Sequence, residues 1–164
     1  MDWSEWTPFI QNNGYRTHYM KCVYLFQTLL FLIPFFFETS FSHIHIYLLV
    51  IIGILVFIIH ECIHIVAVNK KGDSSFTFSG LFFWLHTNAI LSKIRFWVFM
   101  SAPFLLLSVM PAILSFYVSS NITSILLFIS WINAVISSSD IINSMLIMIK
   151  PRKSVFCSVY YRVE

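Results

Sequence analysis

Four blocks of apolar residues, each near the roughly twenty that a helix needs to cross about 30 Å of hydrocarbon, leave this chain little room for anything but a bundle of membrane spans. They fall at residues 20–37, 46–68, 94–118 and 122–149, and the last is long enough to require a tilt or a break. With 59% hydrophobic and only 10% charged residues over 164 positions, the chain carries more apolar surface than a soluble domain of its size can bury. The expected fold class is an all-α membrane protein of four transmembrane helices, one polytopic domain over residues 1–164 whose first partner is the lipid bilayer.

The net charge of +3 is a topology signal rather than a sign of nucleic-acid binding, because of where the basic residues stand. Arg16 and Lys21 lie at the first span. Lys70, Lys71, Lys93 and Arg95 lie between the second and third, and Lys150, Arg152, Lys153 and Arg162 follow the fourth. The opposite loops, 39–45 and 119–121, contain none. This bias predicts a multi-pass protein of the cell membrane with both termini cytosolic. Residues 1–19 carry Asp2, Glu5, Asn12, Asn13 and Arg16 and lack an apolar stretch before a small-residue cleavage site, so the amino terminus is expected to be retained. Cys22, Cys62 and Cys157 have no C-x-x-C spacing and map to the cytosolic half, which predicts reduced packing residues rather than disulfides or a cysteine zinc cluster.

Between the second and third spans, residues 69–93 are too short in their apolar part to cross. The alternation Phe76, Thr77, Phe78, Ser79 is a strand signal, with Gly72 and Gly80 supplying turns. A short strand or re-entrant segment on the cytosolic side is expected; an interfacial aromatic segment around Trp84 is the alternative. In the third span, Ser101-Ala102-Pro103 and Pro111 predict a bent helix closely packed on its neighbours.

The second span contains His60-Glu61-Cys62-Ile63-His64. At helical spacing the two histidines stand one turn apart on one face, where both imidazoles can hold one metal ion while Glu61 reaches a water bound to it. Ionisable residues at a span centre cost about 2.5 to 3.5 kcal/mol each on insertion scales, so three in five positions call for a compensating role. A polar cluster that only joins helices would repay that cost poorly.

Catalytic zinc takes three protein ligands and keeps a fourth position for water, so the motif needs a third donor. Downstream of His64 the candidates are Asp73, His86, Asp140, Cys157 and Glu164, and only Asp140 lies within a span. The midpoint of the histidines precedes Lys70 by about 12 Å of helix, and Asp140 precedes Lys150 by about 15 Å, at 1.5 Å per residue. Asp140 therefore stands at nearly the same depth and is the best-placed third ligand. The competing assignment for Asp140 is a buried acid paired with Asn133, Ser137 or Asn143. The competitor as ligand, or as a hydrogen-bond donor to the transition state, is His86, whose ordinary reading is solvated or interfacial. His43 and His45 stand in the opposite loop, where solvation is expected. The run from Asn133 to Ser139 is polar for a span, which suggests a wet or unwound segment.

These features together resemble the intramembrane zinc metalloproteases of the site-2 protease kind. That group carries H-E-x-x-H on one transmembrane helix, a following hairpin or re-entrant strand, and an aspartate ligand on a later helix with an asparagine upstream. The matching positions are His60 to His64, residues 76–85, Asp140 and Asn133, and Ser101-Ala102-Pro103 is similar to a small-residue-plus-proline element of the group. The chain is more similar still to a compact zincin peptidase family classed as a domain of unknown function, over about residues 46–149. In the better-known proteases prolines precede the aspartate and a glycine follows it. Here Ser137-Ser138-Ser139 precede and Ile141 follows.

The function expected is zinc-dependent hydrolysis of a membrane-embedded or membrane-proximal peptide. Zn2+ would be held by His60, His64 and Asp140, with Glu61 as general base. The edge at Phe76 and Phe78 would hold an extended substrate by strand addition, and Asn133 and His86 are further candidate substrate contacts. A noncatalytic membrane binding, immunity or transporter-accessory protein that retains the metal site is the alternative from another class, and a zinc hydrolase of nonpeptide substrates a third.

Overall fold

The computed structural model describes residues 5–36, 41, 44–68, 74–79, 82–87, 90–157 and 160–163. A short strand β1 (Thr7–Pro8) leads into α1 (Asn13–Phe36), followed by α2 (Ile46–Val68). A hairpin of β2 (Ser74–Ser79) and β3 (Phe82–Thr87) precedes β4 (Leu91–Ser92) and α3 (Lys93–Phe104). The third span continues through a π turn (Leu105–Val109), α4 (Met110–Leu114) and a 3-10 turn (Ser115–Tyr117). The chain closes with α5 (Ser120–Ile136), α6 (Ser138–Met148), β5 (Ser154–Cys157) and β6 (Tyr160–Val163). Three helices are individually long and apolar enough to cross a membrane, and α5 with α6 makes a fourth if that pair, bent by 65°, is one span.

The bundle is mostly helical, but it is not all-α. Strands β1, β6, β5 and β4 form an antiparallel sheet in that order, pairing Thr7 with Tyr161, Phe156 with Tyr161 and Leu91 with Phe156. Two of these strands are two residues long, too short for any period to register. Strand β5 is buried at all four positions, so it lacks the alternation that marks a half-exposed strand. Phe156 joins a core of Val68, Leu91, Phe96, Phe99, Ile147 and Tyr161, while Val155 and Cys157 pack against Trp6. Phe96 stacks on Phe156 at 4.8 Å between ring centroids, and Phe9 meets both rings edge-on. Because β1 precedes α1 and β6 follows α6, this pairing puts the outer ends of those helices at one end of the bundle. At the same end Lys93, first residue of α3, donates to the carbonyls of Met148 and Lys150 and so caps the open C-terminus of α6.

The hairpin between α2 and α3 runs in register from Ser74↔Thr87 to Ser79↔Phe82, the strand expected from the alternation at 76–79. Its side chains, and Gly72 and Gly80, lie outside the described residues. Helix α1 starts at Asn13, before the expected Met20, because the Asn12 side chain accepts from the Tyr15 N–H and caps the first turn. The third span, Lys93–Tyr117, runs as one helix in which a π turn marks the proline region. Pro111 has no N–H for the carbonyl one turn earlier, and the widened π turn lies immediately before α4, whose second residue is Pro111. No cysteine is in a disulfide; Cys157 is a core residue, but Cys62 faces outward from α2, so the packing role expected for it is not observed.

Candidate metal centre

Helix α2 buries one stripe, Val56, His60, His64 and Val68, spaced four residues apart. The two histidines of the motif thus share the face packed on α3 and α5, while their apolar neighbours Ile58, Ile59, Ile65 and Val66 face outward. Glu61, next in sequence to His60, is half-buried at the edge of that stripe.

The bend at Ser137 brings Asp140 to the two histidines. Ser137 closes α5 through its N–H to the Asn133 carbonyl at 2.8 Å, and its own carbonyl accepts from Ile141 to start α6. Asp140 consequently sits in the first turn of α6, where unpaired N–H groups and the helix dipole favour a carboxylate. Asp140 Oδ2 lies 3.1 Å from His60 Nε2 and 3.3 Å from His64 Nε2, and the two Nε2 atoms are 3.2 Å apart. The spacing of the motif from Lys70 and of Asp140 from Lys150 predicts this common height for α2 and α6.

Three electron-pair donors converging this closely repel one another unless a cation or proton lies among them. Ligands about 2.0 to 2.1 Å from a tetrahedral zinc ion stand about 3.3 to 3.4 Å apart along each edge, and the three separations here are within a few tenths of an ångström of that. His60, His64 and Asp140 form a group that could hold a metal ion, and two imidazoles with one carboxylate are a donor set suited to zinc.

The surrounding shell is polar and enclosed. Asn133 is 0% exposed, with its side-chain oxygen 2.9 Å from His60 Nδ1 and its Nδ2 donating to the Pro103 carbonyl and Ser108 Oγ at 3.1 and 2.8 Å. His64 packs on the Phe99 ring at 4.7 Å, and its Nδ1 is buried with no hydrogen-bond partner among the described residues. The alternative polar partners of Asp140 are engaged elsewhere: Asn143 accepts from the Tyr19 hydroxyl at 2.8 Å, and Ser137 Oγ lies 3.3 Å from the Asn133 amide. Tyr19, Phe99 and Ser108 carried no sequence signal, being common residue types in apolar helices.

Of the other candidates, His86 pairs with Ser75 through the hairpin backbone, and Phe76 and Phe78 stand opposite Leu85 and Phe83. The side chains of all three lie outside the described residues, as do Asp73, Glu164 and His43. His45 stacks on Tyr47 at 5.3 Å.

Comparison with curated proteins and with solved structures finds no match. The sequence profile of a family described as "putative zincin peptidase" matches residues 53–155, more than half of the chain and including every member of the His60, His64, Asp140 group. By that match and by the residues it contains, the chain belongs to this zincin peptidase family.

Proposed function

We propose that this protein is a zinc-dependent membrane protease, related to the site-2 proteases, that hydrolyses peptide bonds within or beside the bilayer. The observation that supports this most is the convergence of His60, His64 and Asp140 from two apolar helices to separations of 3.1 to 3.3 Å, with Glu61 half-buried on the same helix as the histidines. These three side chains would hold the metal. Bound there, a zinc ion supplies Lewis acidity to the scissile carbonyl and makes a nucleophile available at neutral pH. Glu61 accepts the proton of the attacking water and passes it to the leaving amine. The low-dielectric helices around Asn133 and Ser137 exclude bulk water, which strengthens each electrostatic contact at the site. Phe76 and Phe78 on β2 offer an extended edge to an unwound substrate, with His86 of β3 as a further contact. The one-sided distribution of the basic residues supports an orientation with both termini in the cytosol.

Proteomics of membrane peptides in cells carrying the wild-type chain or Glu61→Gln tests this reading. Peptides cut only in the wild-type cells are expected. Identical peptide profiles, with both proteins present at equal level in the membrane, would leave the protease assignment without support.

A further inference from the structure

We infer that Asn133 is a positioning residue that fixes the tautomer of His60, so that Nε2 rather than Nδ1 is the metal donor. This rests on the metal centre proposed above.

The argument begins with an acceptor that cannot donate. The Pro103 carbonyl lies 3.1 Å from one terminal atom of the Asn133 amide, and that atom must therefore be the NH2 group. Ser108 Oγ at 2.8 Å and Ser137 Oγ at 3.3 Å accept on the same side. The other terminal atom, 2.9 Å from His60 Nδ1, is then the carbonyl oxygen, and it can only accept. His60 Nδ1 must carry the hydrogen. In a neutral imidazole this leaves the lone pair on Nε2, the atom 3.1 Å from Asp140 Oδ2 and 3.2 Å from His64 Nε2. Hydrogen bonding of this kind to the far nitrogen of a metal-binding imidazole orients the ring and raises its basicity.

The fold is arranged to hold that amide. Asn133 stands one turn before the bend at Ser137, while Pro103 and Ser108 lie in the third span, at the end of α3 and within the π turn. Three helices meet at one side chain with no exposed surface. With its amide engaged by Pro103, Ser108 and His60, Asn133 acts through His60 and not by touching substrate.

Nitrogen-15 NMR of zinc-loaded protein retaining only His60 and His64, with the other histidines replaced by glutamine, reads the tautomer directly. His60 is expected to show a protonated Nδ1 and a metal-bound Nε2; metal bound through Nδ1 would overturn the inference, and this measurement needs no change at Asn133. Chelator competition then compares variants. Asn133→Leu is expected to weaken zinc binding about 10- to 100-fold. Unchanged zinc affinity in a folded Asn133→Leu protein, with a raised KM for peptide, would assign the residue to substrate instead. A wild-type protein that takes up no more zinc than His60→Ala removes the metal centre itself, an outcome distinct from a changed tautomer.

Discussion

Trp131 donates its indole N–H to the carbonyl of Leu30 at 3.0 Å, and that carbonyl is the one Pro34, four residues on, leaves without a helical donor. A side chain of α5 thus completes the backbone of α1 at a depth where water is scarce. Phe31, Phe41 and Phe128 surround the indole at 5.6 to 5.8 Å. Trp131→Phe keeps most of the packing and removes the donor, so a loss of about 1 kcal/mol is expected in a denaturation titration in mixed micelles. The loss should shrink in a Pro34→Ala background, where a backbone N–H again reaches Leu30. An equal loss in both backgrounds would show that the indole acts by packing alone.

Asp140→Ala is expected to lower zinc affinity by more than about tenfold, and Asp140→Asn to lower it as well, since an amide oxygen carries no formal charge against the dication. Replacing Asp73 should leave occupancy unchanged. Metal analysis of purified, monodisperse protein decides this, with His60→Ala as the control for loss. Full zinc in both Asp140 variants, together with loss in a His86 variant, would move the third ligand to the hairpin.

Glu61→Gln should keep the zinc and the fold while reducing turnover on the order of 10²- to 10⁴-fold, because the amide preserves shape but accepts no proton. Rate and metal content are measured on the same preparation. A metal-loaded variant with wild-type turnover would exclude Glu61 as the base.

How much of this site could be read beforehand depended on whether a residue's cost was visible. A carboxylate within an apolar span is expensive enough that Asp140 stood out, and counting back from Lys150 placed it near the histidines. Ser108 costs almost nothing in such a helix and stayed invisible until the π turn brought it to Asn133. The same contrast holds for the fold. Apolar length revealed the spans, and the alternation at Phe76 to Ser79 revealed a strand. Strand β5, covered on both faces by Phe96 and Trp6, has no period to show, and for that reason the four-stranded sheet was not expected.

Phe156→Ala tests whether that sheet is integral to the bundle. Removing a ring stacked on Phe96 and in contact with Phe9 and Tyr161 is expected to cost about 3 to 5 kcal/mol in a reversible unfolding titration. A cost near zero would mean that the sheet is peripheral to stability.

Membrane orientation is expected to put both termini in the cytosol. Single cysteines introduced as Ser42→Cys or Asn121→Cys into a chain lacking Cys22, Cys62 and Cys157 should react with an impermeant maleimide from the noncytosolic face. Labelling of both only from the cytosolic face would invert the topology.

The pairing of Thr7 with Tyr161 also sets an order of events during synthesis. Strand β1 is made before α1 and its partner β6 only after α6, so β1 must wait while the helices between them are inserted. The bundle can be threaded into the bilayer span by span, but it is tied off only after translation has passed β6. A ribosome stalled between α6 and β6 would hold His60, His64 and Asp140 in place with the sheet that joins the two ends of the bundle still unmade.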